Sequence, residues 1–447
     1  MNRLRLFPVI MFLIIVGLAG TVMVEWLGTA RLAKGDAIEV DTHLGVNGEM
    51  NLANPYSSQN LVYLPVAQNL PEGYRWPSMS CVSVDTSGQQ ANGNSNGTDM
   101  TTDGRFVVFD SEATNLVPND SNGVPDVFIH DRQTGETTRV SIGANGTQGN
   151  GASFGGKVSA DGRFVTFTSD AASLISNDTN AKQDIFIHDR QTGETSLISV
   201  ATAGAQSNGD STWADISADG RYVVFVSLAD NLVMGDGHQG HDVFLHDRQT
   251  NQTLLISNSP DGSPMGGNSP TIAADGRFTA FSYGCSIYYY DHQLGDVQLA
   301  YRGQCGWYGA EYPEISGDGN FIVFETSVSD DPATRYYLVR YDRQADKYVG
   351  FNGNLGPWFV SSPHYSNSPD GRYVAFGDRQ VYLLDFLTDE VEPLSTNLSG
   401  ENGNGQSVAR AISADGRIVM MESVATDLVP NDTNSVQDVF IRDRGTP

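Results

Sequence analysis

Positive charge is scarce in this chain of 447 residues. Lysine and arginine together number 26 against 53 aspartate and glutamate residues, which gives a formal net charge of −27. A chain this acidic is repelled by phosphate backbones, and no basic run in it could act alone, so nucleic acid is excluded as a partner. Apolar residues make up 39% of the chain, which is enough for a packed core and excludes a disordered acidic protein.

Cysteine is equally rare. The chain has three cysteines, Cys81, Cys285 and Cys305. An odd number leaves at least one thiol unpaired, so the sequence is not that of a disulfide-stapled scaffold. Cys285 and Cys305 flank one predicted hairpin, and two interpretations stay open: they bridge its open end, or they are two buried thiols.

A single long hydrophobic run occurs, at residues 6–24, and it follows Arg3 and Arg5. This is the pattern of an export segment. It predicts either a retained N-terminal membrane anchor or a cleaved signal peptide, with the small residues 28–30 as the cleavage site. Because positive charge precedes the run, everything after it is expected outside the cytoplasm, in the periplasm, at the cell surface or secreted. Contact with the membrane is expected only through this segment.

Glycine, in contrast, is abundant, with 48 residues against the usual ~7% of a chain. Many of these glycines belong to a repeated signature in which Asp-Gly, usually followed by Arg, precedes an aromatic and apolar run. A second signature, typified by DVFIHDRQTG, follows each copy. The aspartates that open the seven copies are Asp103, Asp161, Asp219, Asp275, Asp318, Asp370 and Asp415.

Each copy predicts four short antiparallel strands separated by turns, and no helical period occurs anywhere. This is the pattern of a propeller blade. The last copy lacks a fourth strand, and residues 80–84, upstream of the first copy, supply a matching one. The sequence therefore predicts an all-β fold, a seven-bladed β-propeller of four-stranded antiparallel blades whose ring is closed by an N-terminal strand. The predicted domains are residues 1–30 as signal or anchor, 31–77 as extracytoplasmic linker and 78–447 as propeller.

The combination of S-x-D-G-R, a strand ending in Phe, a D-[IV]-[YF] strand and a T-G turn resembles the repeat of TolB-type β-propellers, relatives of the WD repeat. The resemblance covers the chain from about residue 78 onward. It implies the propeller fold and leaves the function open, because such propellers serve as binding platforms, scaffolds and enzyme-associated domains. The α/β domain that precedes the propeller in TolB is not predicted here, since residues 31–77 are too short for it.

Loops between the second and third strands carry the pattern D-x-N-x-x-x-D or part of it in four blades. This pattern partly matches the calcium loops of integrin-type propellers, so calcium is the one candidate cofactor, although none is required. The alternative is an Asx turn that closes the hairpin. The candidate ligands are Asp120, Asn122, Asp126, Asp178, Asn180, Asp184, Asp236, Asp242, Asp432, Asn434 and Asp438.

Aromatic residues cluster in the connections that follow blades 4 and 5. In a propeller these connections emerge on the same face as the acidic loops, so the aromatic side chains form a candidate surface for a protein, peptide or glycan ligand. The alternative is that they plug the channel or pack between loops. The candidates are Trp307, Tyr308, Tyr312, Trp358, Phe359, His364 and Tyr365.

No catalytic residue is predicted. Two G-x-S-x-G patterns, at residues 93–97 and 151–155, belong to the repeated inter-blade turn and not to a hydrolase elbow. His130, His188 and His246 recur at one blade position, each before an aspartate, which predicts a structural His–Asp contact between blades. The sequence thus favours an exported, non-enzymatic binding or scaffolding propeller. The competing class is a metal-assisted polysaccharide lyase of the oligogalacturonate type, which needs a histidine cluster that the sequence does not make evident.

Overall fold

The computed structural model describes residues 77–236, 240–259, 263, 265–303, 309–327, 336–351 and 365–445, together with four short strands before them. The chain divides into two compact units, Met1–Tyr74 and Arg75–Pro447. In the first unit β1 (Met11–Phe12) pairs with β4 (Leu64–Pro65), and β2 (Ile15–Gly17) pairs with β3 (Gly20–Val22). Most of the predicted export segment lies outside the described residues. A search of the described residues for a helix of membrane-spanning length and hydropathy finds none.

In the second unit the chain forms seven sheets of four antiparallel strands, numbered here as blades 1 to 7. Blade 1 contains β6 (Ser95–Met100), β7 (Phe106–Ser111), β8 (Asp126–Asp131) and β9 (Glu136–Arg139). Blade 2 contains β10 (Ser153–Val158), β11 (Phe164–Ser169), β12 (Asp184–Asp189) and β13 (Glu194–Leu197). Blade 3 contains β14 (Ser211–Ile216), β15 (Tyr222–Ser227), β16 (Asp242–Asp247) and β17 (Gln252–Leu255).

Blade 4 contains β18 (Asn268–Ile272), β19 (Phe278–Tyr283), β20 (Ser286–Asp291) and β21 (Asp296–Arg302). Blade 5 contains β22 (Glu311–Ile315), β23 (Phe321–Ser327), β24 (Tyr336–Asp342) and β25 (Lys347–Phe351). Blade 6 contains β26 (Tyr365–Asn367), β27 (Tyr373–Phe376), β28 (Tyr382–Asp385) and β29 (Glu390–Pro393). Blade 7 contains β30 (Ser407–Ile412), β31 (Ile418–Ser423), β32 (Asp438–Asp443) and β5 (Ser78–Cys81).

Strand β5 pairs antiparallel with β32, with Cys81 opposite Phe440. The one helical segment of the described residues is a short 3₁₀ turn at Ala144–Gly146. The prediction of an all-β, seven-bladed propeller with four-stranded antiparallel blades is confirmed.

The Asp-Gly turn before each second strand explains the repeated signature. In blade 1 the Asp103 carboxylate accepts hydrogen bonds from the Arg105 amide at 2.9 Å and the Thr101 hydroxyl at 2.6 Å. The following glycine has positive φ in every blade, as at Gly162 of blade 2, where φ is 72°. A Cβ atom on Gly162 would lie 2.2 Å from the Phe106 ring of blade 1. Both the backbone conformation and the close approach of the next blade therefore require glycine.

The arginine of each Asp-Gly-Arg turn ties that turn to the third strand. Arg105 donates two hydrogen bonds to the Asp131 carboxylate, at 3.0 and 2.7 Å, and these bonds lower the pKa of Asp131 to about 2. Five further blades repeat the pair, as Arg163–Asp189, Arg221–Asp247, Arg277–Asp291, Arg372–Asp385 and Arg417–Asp443.

This pairing corrects the predicted role of the recurring histidines. The Asp131 carboxylate is already engaged by Arg105, so His130 instead contacts Thr137, with 2.9 Å between Nδ1 and Oγ1. Thr137 in turn donates to the Val84 carbonyl of the connection that enters the blade, at 2.5 Å. His188 and His246 repeat the contact with Thr195 and Thr253. Burial lowers the pKa of all three histidines, as expected for neutral structural groups.

The hydrophobic core is divided among the blade junctions. The described residues form seven buried clusters, one at each junction between neighbouring blades. At the junction of blades 7 and 1, Ile418 and Met420 pack against Phe109 and Phe128. Each blade therefore buries its two faces against its neighbours, and the ring repeats one packing arrangement.

Candidate functional site

One face of the propeller carries the starts of the first strands and the ends of the second strands. We call it the loop face, since the inter-blade connections and the loops between second and third strands emerge there. A cavity of about 250 Å³ opens on this face between blades 3, 4 and 5. The side chains that define it are Trp213, His241, Asn268, Tyr283, Glu311 and Tyr312. We call this cavity the aromatic pocket.

Two aromatic rings from different blades form one wall of the aromatic pocket. Trp213 of blade 3 and Tyr312 of blade 5 stack with ring centroids 6.0 Å apart and an interplanar angle of 19°. Trp213 remains 54% exposed, so a large part of its ring faces solvent. An exposed, pre-stacked aromatic pair offers a flat apolar surface to a ligand.

Both aromatic residues have an unusual backbone conformation. Trp213 has φ of 56° and Tyr312 has φ of 51°, and both lie in bulges of their first strands. The equivalent residue of blade 2 is Gly155, with φ of 66°. A bulky side chain in this region costs about 1–2 kcal/mol relative to ordinary backbone, and such strain concentrates at functional sites. Blades 1 and 2 thus have glycine where blades 3 and 5 have large rings.

Polar side chains surround the rings. His241 and Asn268 contact each other, with 2.8 Å between Nδ1 and Oδ1. Tyr283, at the end of the second strand of blade 4, is 40% exposed. The pocket therefore combines an apolar wall with hydrogen-bonding groups that could orient a ligand.

Of two neighbouring carboxyl groups of blade 5, Glu311 lines the pocket and Glu325 does not. Glu311 and Glu325 are directly opposed across the first two strands of blade 5. Burial, together with the charges of Asp378 and Glu311, raises the pKa of Glu325 to about 8. Burial, together with the charges of Glu311 and Glu325, raises the pKa of Tyr312.

A second cavity is the central channel, which the first strands of all seven blades line. It holds Asp99, Lys157, Asp215, Glu314 and Arg410. Burial opposes the charge of Lys157, but Asp99, Asp215 and Glu314 outweigh it and raise the Lys157 pKa. The Asp99 carboxylate also accepts a hydrogen bond from the Val158 amide of the next blade, at 2.8 Å. These charges compensate each other and join neighbouring blades.

The structure places the two described residues of the predicted aromatic surface in different environments. Tyr312 lines the aromatic pocket, whereas Tyr365 is buried and donates its hydroxyl hydrogen to the Tyr312 carbonyl. Tyr365 thus supports the backbone on which Tyr312 stands. Five members lie outside the described residues, and their role stays a prediction: Trp307, Tyr308, Trp358, Phe359 and His364.

Trp213 was missed by sequence reasoning. A signal was present, because the residue six positions before the aspartate of the turn is Gly97 in blade 1 and Gly155 in blade 2. Blades 3 and 5 replace it with Trp213 and Tyr312. A large aromatic residue at a position that is glycine in blades 1 and 2 is the pattern that would have located the pocket.

The acidic loops are held by N–H donors. In blade 1 the Gln148 amide donates to Asp120 at 2.7 Å and to Asp126 at 3.0 Å. Asn122 donates to Asp126 at 3.1 Å, and Arg139 also lies 3.1 Å from it. In this arrangement the carboxylate oxygens that calcium needs are already engaged.

The other acidic loops share the asparagine or hydroxyl donors, but in blade 2 one carboxylate oxygen of Asp178 is buried without a hydrogen-bond partner among the described residues. Asn180 donates to Asp184 at 2.8 Å and Asn434 donates to Asp438 at 2.7 Å. In blade 3, Asp242 accepts from Ser257 at 3.1 Å. Across the described residues no group of three or more His, Cys, Asp or Glu side chains could hold a metal ion. The asparagine hydrogen bonds within these loops agree with the Asx-turn interpretation, and calcium binding stays a prediction.

The cysteines differ in state. Cys285 is disulfide-bonded, while Cys81 is a free thiol whose pKa is raised to about 12 by burial. The predicted partner, Cys305, lies outside the described residues.

Comparisons with known proteins add little. No protein-family model and no curated protein matches the chain. Among solved structures, the chain is similar to the crystal structure of TolB from Acinetobacter baumannii, with 16% identity and a TM-score of 0.38. The similarity covers 59% of this chain and 55% of that one, so the chain spans about half the length of that structure. At this TM-score the likeness carries no argument about function, which rests on the residues of the aromatic pocket.

Proposed function

We propose that this chain is an exported, non-enzymatic propeller that binds a protein, peptide or glycan ligand at the aromatic pocket. One observation carries the proposal: Trp213 and Tyr312 stack across the pocket although both residues occupy left-handed backbone. Packing alone would be served better by the glycine that blade 2 has at this position. Backbone strain that the stacking of the two rings at best offsets favours a role in binding.

Three further observations support parts of the proposal. Export rests on the charged and apolar pattern of the first 24 residues. The serines of the two G-x-S-x-G patterns are buried and contact a second serine hydroxyl, at 2.9 Å for Ser95–Ser111 and 2.8 Å for Ser153–Ser169, which supports a structural role. The lyase alternative finds no support among the described residues, where no metal-holding cluster converges.

The test is a binding screen of the full chain, kept in mild detergent, against peptide and glycan arrays. Trp213→Gly removes the ring and restores the residue type of blade 2. Leu387→Ala is the matched control, because Leu387 is 74% exposed on the opposite face. We expect ligands that bind the wild type and the control but not Trp213→Gly. Ligands whose binding does not depend on Trp213 would contradict the assignment of the site.

A further inference from the structure

The aromatic pocket combines an exposed ring with a set of polar side chains. Trp213 stacks on Tyr312 and keeps 54% of its surface exposed. Several other lining residues carry a hydrogen-bonding group in the side chain, namely Thr212, His241, Asn268, Ser282, Tyr283 and Glu311. Blades 3, 4 and 5 each supply some of these groups. The apolar and the polar parts of the pocket therefore meet only in the folded ring.

The fold positions a hydrogen-bond donor and an acceptor in the pocket. His241 of blade 3 contacts the amide oxygen of Asn268 in blade 4, with 2.8 Å between Nδ1 and Oδ1. Because this contact engages the oxygen, the NH₂ group is the part of Asn268 that can donate to a ligand. Asn268 and Glu311 are the first residues of β18 and β22, and both are exposed. A donor amide and an acceptor carboxylate thus line the same cavity as the stacked rings.

This combination limits the chemistry of the ligand. An apolar side chain would use the rings but would cover the polar groups without giving them hydrogen bonds, which is costly. A pyranose ring suits both parts of the pocket, because its C–H groups form an apolar face and its hydroxyls lie around the edge. The weakly positive C–H groups pack on the electron-rich face of an aromatic ring.

The size of the cavity limits how much of a ligand enters it. Pockets for drug-sized ligands span about 300–1,000 Å³, and the aromatic pocket has about 250 Å³. It has room for about one sugar ring, with the rest of a glycan lying outside the cavity on the loop face.

The charge of the pocket distinguishes neutral from acidic sugars. Glu311 brings a carboxylate into the lining, and the whole chain has a formal net charge of −27. Both repel the carboxylate of a uronic acid. The hydroxyls of a neutral sugar can instead donate to Glu311, and hydrogen bonds to a charged acceptor are the stronger kind.

We infer that the aromatic pocket binds one neutral pyranose ring of a glycan. The ring stacks on Trp213, and its hydroxyls bond to Asn268 and Glu311. This inference rests on the proposed binding function and names its ligand class.

Saturation-transfer NMR of the full chain, in a detergent without sugar groups, tests the inference. The probes are methyl β-glucoside, methyl β-glucuronide and capped Gly-Leu-Gly. The glucoside is a fair probe because both faces of its ring carry only C–H groups, and the glucuronide differs from it by one carboxylate. We expect the glucoside to bind at millimolar concentration with its ring C–H protons saturated most. The glucuronide should bind several-fold more weakly, by a margin that shrinks as salt is added.

Two variants locate the interaction. Trp213→Gly should weaken binding of the glucoside about tenfold or more, because the stacked ring is lost. Asn268→Ala should weaken it several-fold, through one lost hydrogen bond. Gln191→Ala is the matched control for Asn268→Ala, because Gln191 is an exposed amide on the turn between β12 and β13 of blade 2. It should leave binding unchanged.

The outcomes separate the inference from the proposed function. No Trp213-dependent binding of the glucoside at millimolar concentration would overturn the inference, and so would equal or tighter binding of the glucuronide. Trp213-dependent binding of Gly-Leu-Gly in place of the glucoside would replace the glycan by a peptide and leave the binding site standing. If the array screen also shows no Trp213-dependent ligand, the proposed function fails as well.

Discussion

The loop face differs between the arc over blades 7, 1 and 2 and the arc over blades 3, 4 and 5. In the first arc the bulge position of the first strand holds Ala409, Gly97 and Gly155, and amide side chains fill the loops with hydrogen bonds. In the second arc the same position holds Trp213, Ser269 and Tyr312, all with positive φ. One scaffold thus carries a closed, hydrogen-bonded surface and an open aromatic one. Residues that follow the repeat therefore form the fold, whereas residues that differ from it form the proposed binding site.

The largest effect is expected where the repeat is strictest, at the blade junctions. Gly162→Ala forces a Cβ to within 2.2 Å of the Phe106 ring and strains a φ of 72°. We expect it to lower the free energy of unfolding by roughly 2–5 kcal/mol.

Gly193→Ala is the matched control, because Gly193 has φ of 74° but open space around it. It should cost about 1–2 kcal/mol, from backbone strain alone. Urea unfolding with unchanged m-values measures both variants. Equal losses would mean that the inter-blade contact does not explain the glycine.

The second prediction concerns the carboxylate of the aromatic arc. Burial and neighbouring carboxylates raise the pKa of Glu325 to about 8, so the folded state binds more protons than the unfolded state between pH 4.5 and 8. Stability should therefore fall as the pH rises through this range. Glu325→Gln should be more stable than the wild type at pH 8, by on the order of 1–2 kcal/mol, and not at pH 4.5.

Urea midpoints of the two proteins across the pH range measure this difference. Burial also raises the pKa of Glu314, to about 7, so part of the loss of stability with rising pH should remain in both proteins. A variant no more stable than the wild type at pH 8 would show that Glu325 is not an unfavourable charge.

The opposite pH response is expected from the Arg–Asp pairs of the repeat. Hydrogen bonds from Arg105 lower the pKa of Asp131 to about 2, so the stability they supply is complete above pH 4 and is lost as the pH falls through 2. Arg105 is 40% exposed, so solvent screening keeps the contribution of each pair to stability small. Asp131→Asn should lower the urea midpoint at pH 7. It should also reduce the fall in stability at acid pH. If the fall in stability at acid pH is unchanged, the Arg105–Asp131 pair does not cause it.

The smallest effect is expected at the acidic loops. Because N–H and O–H donors already engage most of their carboxylate oxygens, melting curves with EDTA and with millimolar calcium should coincide. A higher melting temperature in calcium would instead establish the four loops as metal sites.

The sequence predicted the fold well because each blade repeats local chemistry. The Asp-Gly turns, the alternating strands and the unmatched strand before Asp103 are all visible without tertiary contacts. The pocket depends instead on contacts between residues far apart in the chain. Trp213 and Tyr312 are about a hundred residues apart and meet because two blades flank a third. The histidine contact was misjudged for a related reason: the turn arginine, from another strand, engages the neighbouring aspartate.

The most direct test of the central claim is the pair of measurements on Trp213→Gly: thermal stability and array binding. If the ring contacts a ligand and its backbone is strained, Trp213→Gly should lose ligand binding. Its melting temperature should equal that of the wild type or exceed it, because lost stacking of about 0.5–1.5 kcal/mol is offset by relief of about 1–2 kcal/mol of strain. A melting temperature lower by roughly 10 °C, or binding that survives, would show that Trp213 is a structural residue and contradict the account.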